Sequence, residues 1–196
     1  MKRLLTLCLV LAAGPALAQG FEVELRGGYT TPGGIAPGAL TVEDIELAGG
    51  FTWGASATYL LSPRYGIEGS WTRQNGGLEI ETRDGSAEMF DTRVDQLQAA
   101  FVYHLAPPEA RVRPFLSAGA GAAFFAGDGL ESETKLSLGF GGGVKWALAK
   151  KWGVRLQGRY LPTHLADADS DFCDPFGFCQ GWLHQLEVSG GIMVRF

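Results

Sequence analysis

The chain is most readily defined by what it has little of. After residue 18 no uninterrupted apolar stretch approaches the roughly 20 residues that carry a helix across a bilayer, so a bundle of membrane helices is excluded while membrane strands are not. Cysteine occurs three times and histidine three times, too sparse a supply for a zinc centre in any one segment. Positive charge is also short, with 16 Lys and Arg against 21 Asp and Glu and a net charge of −5, which argues against nucleic acid as a partner. What remains is bland: 46% hydrophobic residues, 29 glycines and a mean hydropathy of +0.06. Composition of this kind fits a globular domain or a sheet with two unlike faces, and periodicity has to decide.

The start of the chain reads as an export leader. Lys2 and Arg3 precede an uncharged apolar run from Leu4 to Ala13, and Ala16-Leu17-Ala18 places small residues where a signal peptidase cuts. Cleavage is expected after Ala18, giving residues 1–18 as signal peptide and 19–196 as one β-barrel domain. The run is too short for a permanent membrane helix. Cys8 lies too near the start for a lipoprotein site and leaves with the leader.

Read with period two, the rest resolves into strands with one oily and one polar face. Phe21, Val23, Leu25, Gly27 and Tyr29 alternate with Glu22, Glu24, Arg26, Gly28 and Thr30; Phe51 to Tyr59 and Tyr65 to Trp71 split in the same way. Leu97 to Tyr103, Leu136 to Trp146, Trp152 to Tyr160 and a final strand from Trp182 to Phe196 repeat it. Residues 114–125 are ambiguous, and Leu116, Ala118, Ala120, Ala122 and Phe124 are assigned outward because this leaves Ser117, Gly119 and Gly121 inward.

Eight strands result, with short joints near 62–64, 106–112 and 149–151 and long segments near 31–50, 74–93, 126–134 and 162–181. Asp84-Gly85 is a hairpin signal suggesting that the third and fourth strands continue beyond a membrane. Outward aromatics fall into two bands: Tyr29, Phe51, Trp53, Trp71, Phe124, Tyr160 and Trp182 toward the long loops, and Phe21, Tyr59, Tyr65, Tyr103, Trp146, Trp152 and Phe196 toward the short turns. Rings settle at membrane interfaces in this pattern. A water-soluble sandwich would turn its apolar face inward and show no banding. The expectation is an all-β, eight-stranded antiparallel up-and-down transmembrane β-barrel.

These features together resemble the small eight-stranded outer-membrane barrels of Gram-negative bacteria, of the OmpA transmembrane-domain, OmpX and OmpW kind, often labelled porin-like. The resemblance covers residues 21–196 and rests on architecture, leader and the terminal Val194-Arg195-Phe196. It implies residence in the outer membrane and a Phe196 insertion signal read by the barrel-insertion machinery. It also implies a barrel-only protein without an appended peptidoglycan-binding domain.

The inward face is charged. Glu22, Glu24 and Glu68 are set against Lys145, Arg155 and Arg195 with His104 nearby, and Arg26, Arg159 and Glu187 also point in. An eight-stranded barrel is just wide enough for side chains to fill, so these residues are expected to form an ion-pair network closing the lumen. The alternative is a narrow solute path past inward Gly119, Gly121, Gly139, Gly141 and Gly143. The long segments are acidic, from Glu43, Asp44 and Glu46 through Glu79, Glu81, Asp84, Glu88 and Asp91 to Asp167, Asp169, Asp171 and Asp174, opposed chiefly by Arg83 and Arg93. That surface would repel, or bridge through divalent cations to, lipopolysaccharide.

Asp167-Ala-Asp169-Ser-Asp171 opens like a calcium loop, but Phe172 and Phe178 replace its turn glycine and closing Glu, so no metal site is assigned. Cys173 and Cys179 bracket Asp174 to Phe178 and are expected to form a disulfide in an oxidising compartment, displaying Phe176 and Phe178. Lipid A hydrolysis through His164 or His184, with Ser170 nearby, lacks a triad arrangement. The expected protein is a monomeric, non-enzymatic structural or surface-interaction barrel without a cofactor, bounded by membrane lipids and lipopolysaccharide.

Overall fold

The computed structural model describes residues 20–31, 33–35, 45–47, 49–82, 85–127, 133–164 and 182–196, with the side chains of 33–35, 45–47, 77–92 and 127 left aside. The signal-peptide assignment lies outside these residues. Ten strand segments run in order: β1 (Phe21–Thr30), β2 (Gly33–Ile35), β3 (Ile45–Leu47), β4 (Gly50–Leu60), β5 (Tyr65–Thr82), β6 (Gly85–His104), β7 (Val112–Gly127), β8 (Glu133–Ala147), β9 (Trp152–His164) and β10 (Trp182–Arg195). All pairings are antiparallel, and the β1 to β10 ladder, Glu22↔Arg195 through Thr30↔Glu187, closes the sheet on itself. Closure leaves no rim of unpaired amides in hydrocarbon, where each would be costly.

The two three-residue segments reconcile ten strands with eight staves. β2 pairs with β10 and β3 with β5, so each prolongs β1 or β4 along the same neighbour. The β2 and β3 pairing keeps the phase of the β1 and β4 hairpin, whereas each slips one residue against its outer partner. The first long segment is therefore partly strand rather than wholly loop. As the hairpin signal at Asp84-Gly85 suggests, β5 and β6 continue through the segment read as 74–93, paired as far as Thr82↔Gly85 with a bulge at Leu78/Glu79.

Alternation governs the wall. Leu25, Ile67, Leu97, Leu116, Leu136, Leu156, Val188 and Ile192 are exposed on one face, while Glu22, Glu68, Gln98, Lys145, Arg155 and Glu187 are buried on the other. Within β7, Leu116, Ala118, Ala120 and Phe124 do face out. On β9 the outward Trp152 and Tyr160 are eight residues apart, about 26 Å along the strand, matching the scale of the ~25 Å lipid-facing band of such barrels.

Two glycines show what this curvature demands. A Cβ at inward Gly121 would stand 2.0 Å from the Leu97 carbonyl oxygen and 2.7 Å from the Gln98 Cα, both backbone atoms of β6. A Cβ at outward Gly69 meets nothing within 4 Å. Gly121→Ala should therefore cost about 1–3 kcal/mol by overpacking, and Gly69→Ala should stay within ~0.5 kcal/mol. Equilibrium urea unfolding in lipid vesicles checks the pair.

Candidate functional site

Every inward charge lies at a height set by its strand register, and the lumen stacks into storeys. In the turn-side storey the Glu22 carboxylate of β1 receives Lys145 Nζ from β8 and Arg195 Nε from β10 at 2.9 Å, with Arg113 Nη1 of β7 at 3.9 Å. His104 and Phe115 are buried beside it with ring centroids 6.4 Å apart.

The next storey is built on Arg155 of β9. Its Nη1 and Nη2 donate to both oxygens of Glu68 on β5, at 2.5 and 3.2 Å, and Nη1 also reaches Glu24 Oε2 at 3.2 Å. The guanidinium lies 4.3 Å from the Phe115 ring centroid, a cation–π seat. Hydroxyls add to both carboxylates: Ser56 donates to Glu24 Oε2 at 2.9 Å and Thr58 to Glu68 Oε2 at 2.8 Å.

A third storey pairs Arg159 of β9 with Glu187 of β10 through a fork of 3.1 and 2.6 Å. Arg159 Nη2 and Arg26 Nη2 both donate to Thr72 Oγ1, at 3.0 and 2.9 Å. Around the closed ring, β9 and β5 are diametrically opposite, four staves apart in either direction. The Arg155 to Glu68 and Arg159 to Thr72 contacts thus cross the full width of the interior at two heights.

Between and beyond these storeys the lining is largely amide and hydroxyl, with a Lys135 to Glu133 ion pair of 2.9 Å on β8 toward the long loops. Gln185 donates to Gln74 at 3.3 Å, Gln157 to Ser189 at 3.2 Å and Gln98 to Ser137 at 3.3 Å. Nearer the long loops, Val94, Ala123, Phe125 and Leu183 form a small buried apolar cluster inside the wall.

Glu22, Glu24, Glu68, Lys145, Arg155, Arg159, Glu187 and Arg195 are thereby brought into three linked groups. Arg113 and the seat of Phe115 were missed in the sequence reading, which began the strand at residue 114; Arg113 shares the odd parity of the inward residues but falls between the joint read as 106–112 and that strand. In the ionic storeys the carboxylates of Glu22, Glu24, Glu68 and Glu187 meet six cations, namely Arg26, Arg113, Lys145, Arg155, Arg159 and Arg195. Arg26 Nε and both ring nitrogens of His104 have no hydrogen-bond partner among the described residues.

The other candidate groups are elsewhere. His184 Nδ1 and the Tyr160 hydroxyl share a hydrogen bond of 2.5 Å on the outer face, and His164 packs edge-on against Trp182 at 4.9 Å. Cys173, Cys179, Ser170 and the Asp167 to Asp171 run lie outside the described residues. Among the described residues no cluster of His, Cys, Asp or Glu is arranged to hold a metal. Phe196 donates its N–H to the Phe21 carbonyl at 2.9 Å, and the two rings are 6.4 Å apart at the seam.

Comparison with known proteins follows the same lines. A family model described as outer membrane protein beta-barrel domain matches residues 4–189. No curated protein matches the chain. Among solved structures, Neisserial surface protein A (NspA) is similar with a TM-score of 0.64 and 18% identity, covering 91% of this chain and 98% of that one. The outer membrane protein OprG from Pseudomonas aeruginosa is similar with a TM-score of 0.58 and 10% identity, covering 91% and 97%. At these identities the likeness is one of fold.

Proposed function

Because the chain belongs to the outer membrane protein β-barrel domain family, we propose that it is a closed, non-catalytic barrel of the bacterial outer membrane that acts through its surface. The single observation that carries this reading is the side-chain bridge of Arg155 to Glu68 across the whole lumen. A buried guanidinium held by two carboxylates and a phenyl ring is costly to displace. The apolar cluster of Val94, Ala123, Phe125 and Leu183 supports closure at the other end.

Export through removal of residues 1–18, insertion directed by Phe196, a Cys173–Cys179 disulfide in the last long loop and a monomeric state belong to the same proposal. So does contact with lipopolysaccharide, direct or through divalent cations. The second reading, a narrow path favouring anions, draws on the two cations in excess of carboxylates in the ionic storeys.

Planar-bilayer recording on the purified barrel separates them. The closed barrel should give no stable single-channel steps. Stable steps that change when Arg155 or Glu68 is replaced would overturn closure, and a reversal potential favouring chloride would establish the anion path in its place.

A further inference from the structure

Among the outward strand side chains that the structure describes, which exclude those of 77–92, Arg73, Arg93 and Asp95 are the only ones with a formal charge. They lie together. Trp53, Arg73, Asp95 and Phe124 occupy one lateral rung across β4, β5, β6 and β7, with Trp71 and Leu97 on the outward rung nearer the turns and Arg93 on the rung nearer the long loops. Arg73 is eight residues from Tyr65 along β5, the separation that spans the two aromatic bands on β9. The cluster therefore marks the loop-side edge of the hydrocarbon.

Its internal geometry is fixed but its charge is not balanced. Arg73 forks onto Asp95, Nε to Oδ1 at 2.7 Å and Nη2 to Oδ2 at 3.0 Å, while its guanidinium carbon is 5.3 Å from the Trp71 ring centroid and 5.9 Å from that of Trp53. The two indoles meet edge to face at 4.9 Å. Arg93 reaches the same carboxylate only through Nε, at 3.5 Å, and its side chain is 53% exposed. Among the described side chains, one carboxylate thus orients two guanidiniums and leaves one positive charge, on the more exposed arginine, against the lipid edge.

We propose that this patch is a binding site for the phosphate headgroup of an acylated outer-leaflet lipid, of the lipid A type. Arg93 supplies the bidentate N–H pair that arginine offers a phosphate oxygen pair. Arg73, locked by Asp95 and the indoles, adds long-range attraction and a rigid floor, and Trp53 and Trp71 pack the apolar part of the lipid below the headgroup. The site depends on the outer-membrane placement proposed above, with the long loops outward.

The test uses the full barrel in neutral detergent, titrated with diphosphorylated lipid A, the same lipid after phosphate removal, and inorganic phosphate, with bound lipid counted by native mass spectrometry. The expected result is that wild type retains diphosphorylated lipid A at least tenfold better than the dephosphorylated lipid, that Arg93→Gln loses about tenfold of that binding, and that inorganic phosphate alone does not bind. Asp95→Asn, which raises the net charge of the patch, should retain or strengthen binding. Equal retention by wild type and Arg93→Gln, equal retention of both lipids, binding of inorganic phosphate alone, or loss in Asp95→Asn matching that of Arg93→Gln would each overturn the site. Flotation of wild type with phosphatidylcholine vesicles tests the membrane placement separately: a protein that fails to float loses the placement itself, whereas one that floats without selecting the phosphorylated lipid loses only the site.

Discussion

Arg155→Met should destabilise the folded barrel by about 3–5 kcal/mol, the cost of breaking a buried ion pair from one side. The substitution keeps most of the volume, so the loss is electrostatic. Glu68 and Glu24 would then be left in the buried interior with Thr58, Ser56 and the more distant Arg26 and Lys145 to compensate them in part. Adding Glu68→Gln to the same molecule removes one of the two stranded charges, so the double variant should be more stable than the sum of the single effects predicts, with a coupling of up to ~3 kcal/mol. Urea titration of the four proteins in lipid vesicles, read by the mobility shift between folded and unfolded barrel on unheated gels, measures the cycle. Strict additivity would mean that the bridge across the lumen does not exist in the folded protein.

The next residue along β9 carries the opposite expectation. Leu156 faces outward, 64% exposed and midway between Trp152 and Tyr160. Leu156→Arg should cost about 2–4 kcal/mol in a bilayer, the penalty for arginine at the midplane of a barrel wall. Were this face in water, the same change would fall within ~0.5 kcal/mol. Comparing Leu156→Arg with Trp152→Arg, where the interface reduces the cost to roughly 0–1 kcal/mol for an arginine, gives a depth profile on one strand. Adjacent residues thus report on two media: one side chain needs its charge and the other cannot accept one.

How much of this was legible follows from what each signal encodes. Period two fixes the face of a residue, so Glu22, Glu68, Lys145 and Arg155 could be placed inside before any pairing was known, and even the ambiguous β7 resolved once Ser117 and Gly121 were sent inward. The partners were not legible, because which carboxylate meets which cation depends on the stagger between distant strands and on side chains long enough to cross the interior. Arg155 could have been assigned to Glu22 or Glu68 with equal ease.

The apolar cluster inside the loop-side mouth was missed for a related reason. Val94 lies among Thr92, Arg93, Asp95 and Gln96, between the long segment read as 74–93 and the strand read from Gln96, and an apolar residue in a barrel is assigned outward by default. Its parity with Gln96 and Gln98, and the adjacency of Phe124 to Phe125, which forces one ring inward, were the available signs. Arg73 and Asp95 were overlooked in the same way: each is ordinary alone, and only the Arg73↔Asp95 register makes them a pair on the lipid side.

The seam between Phe21 and Phe196 has a further consequence for biogenesis. The bonds joining the first stave to the last link the two barrel strands most distant in sequence, so they can form only once every intervening strand has been made. Until that moment the nascent sheet has two bare margins, each able to recruit a stranger. Assembly is thereby all-or-none at its final step, and a cell making this protein must shelter an open crescent until its ends meet.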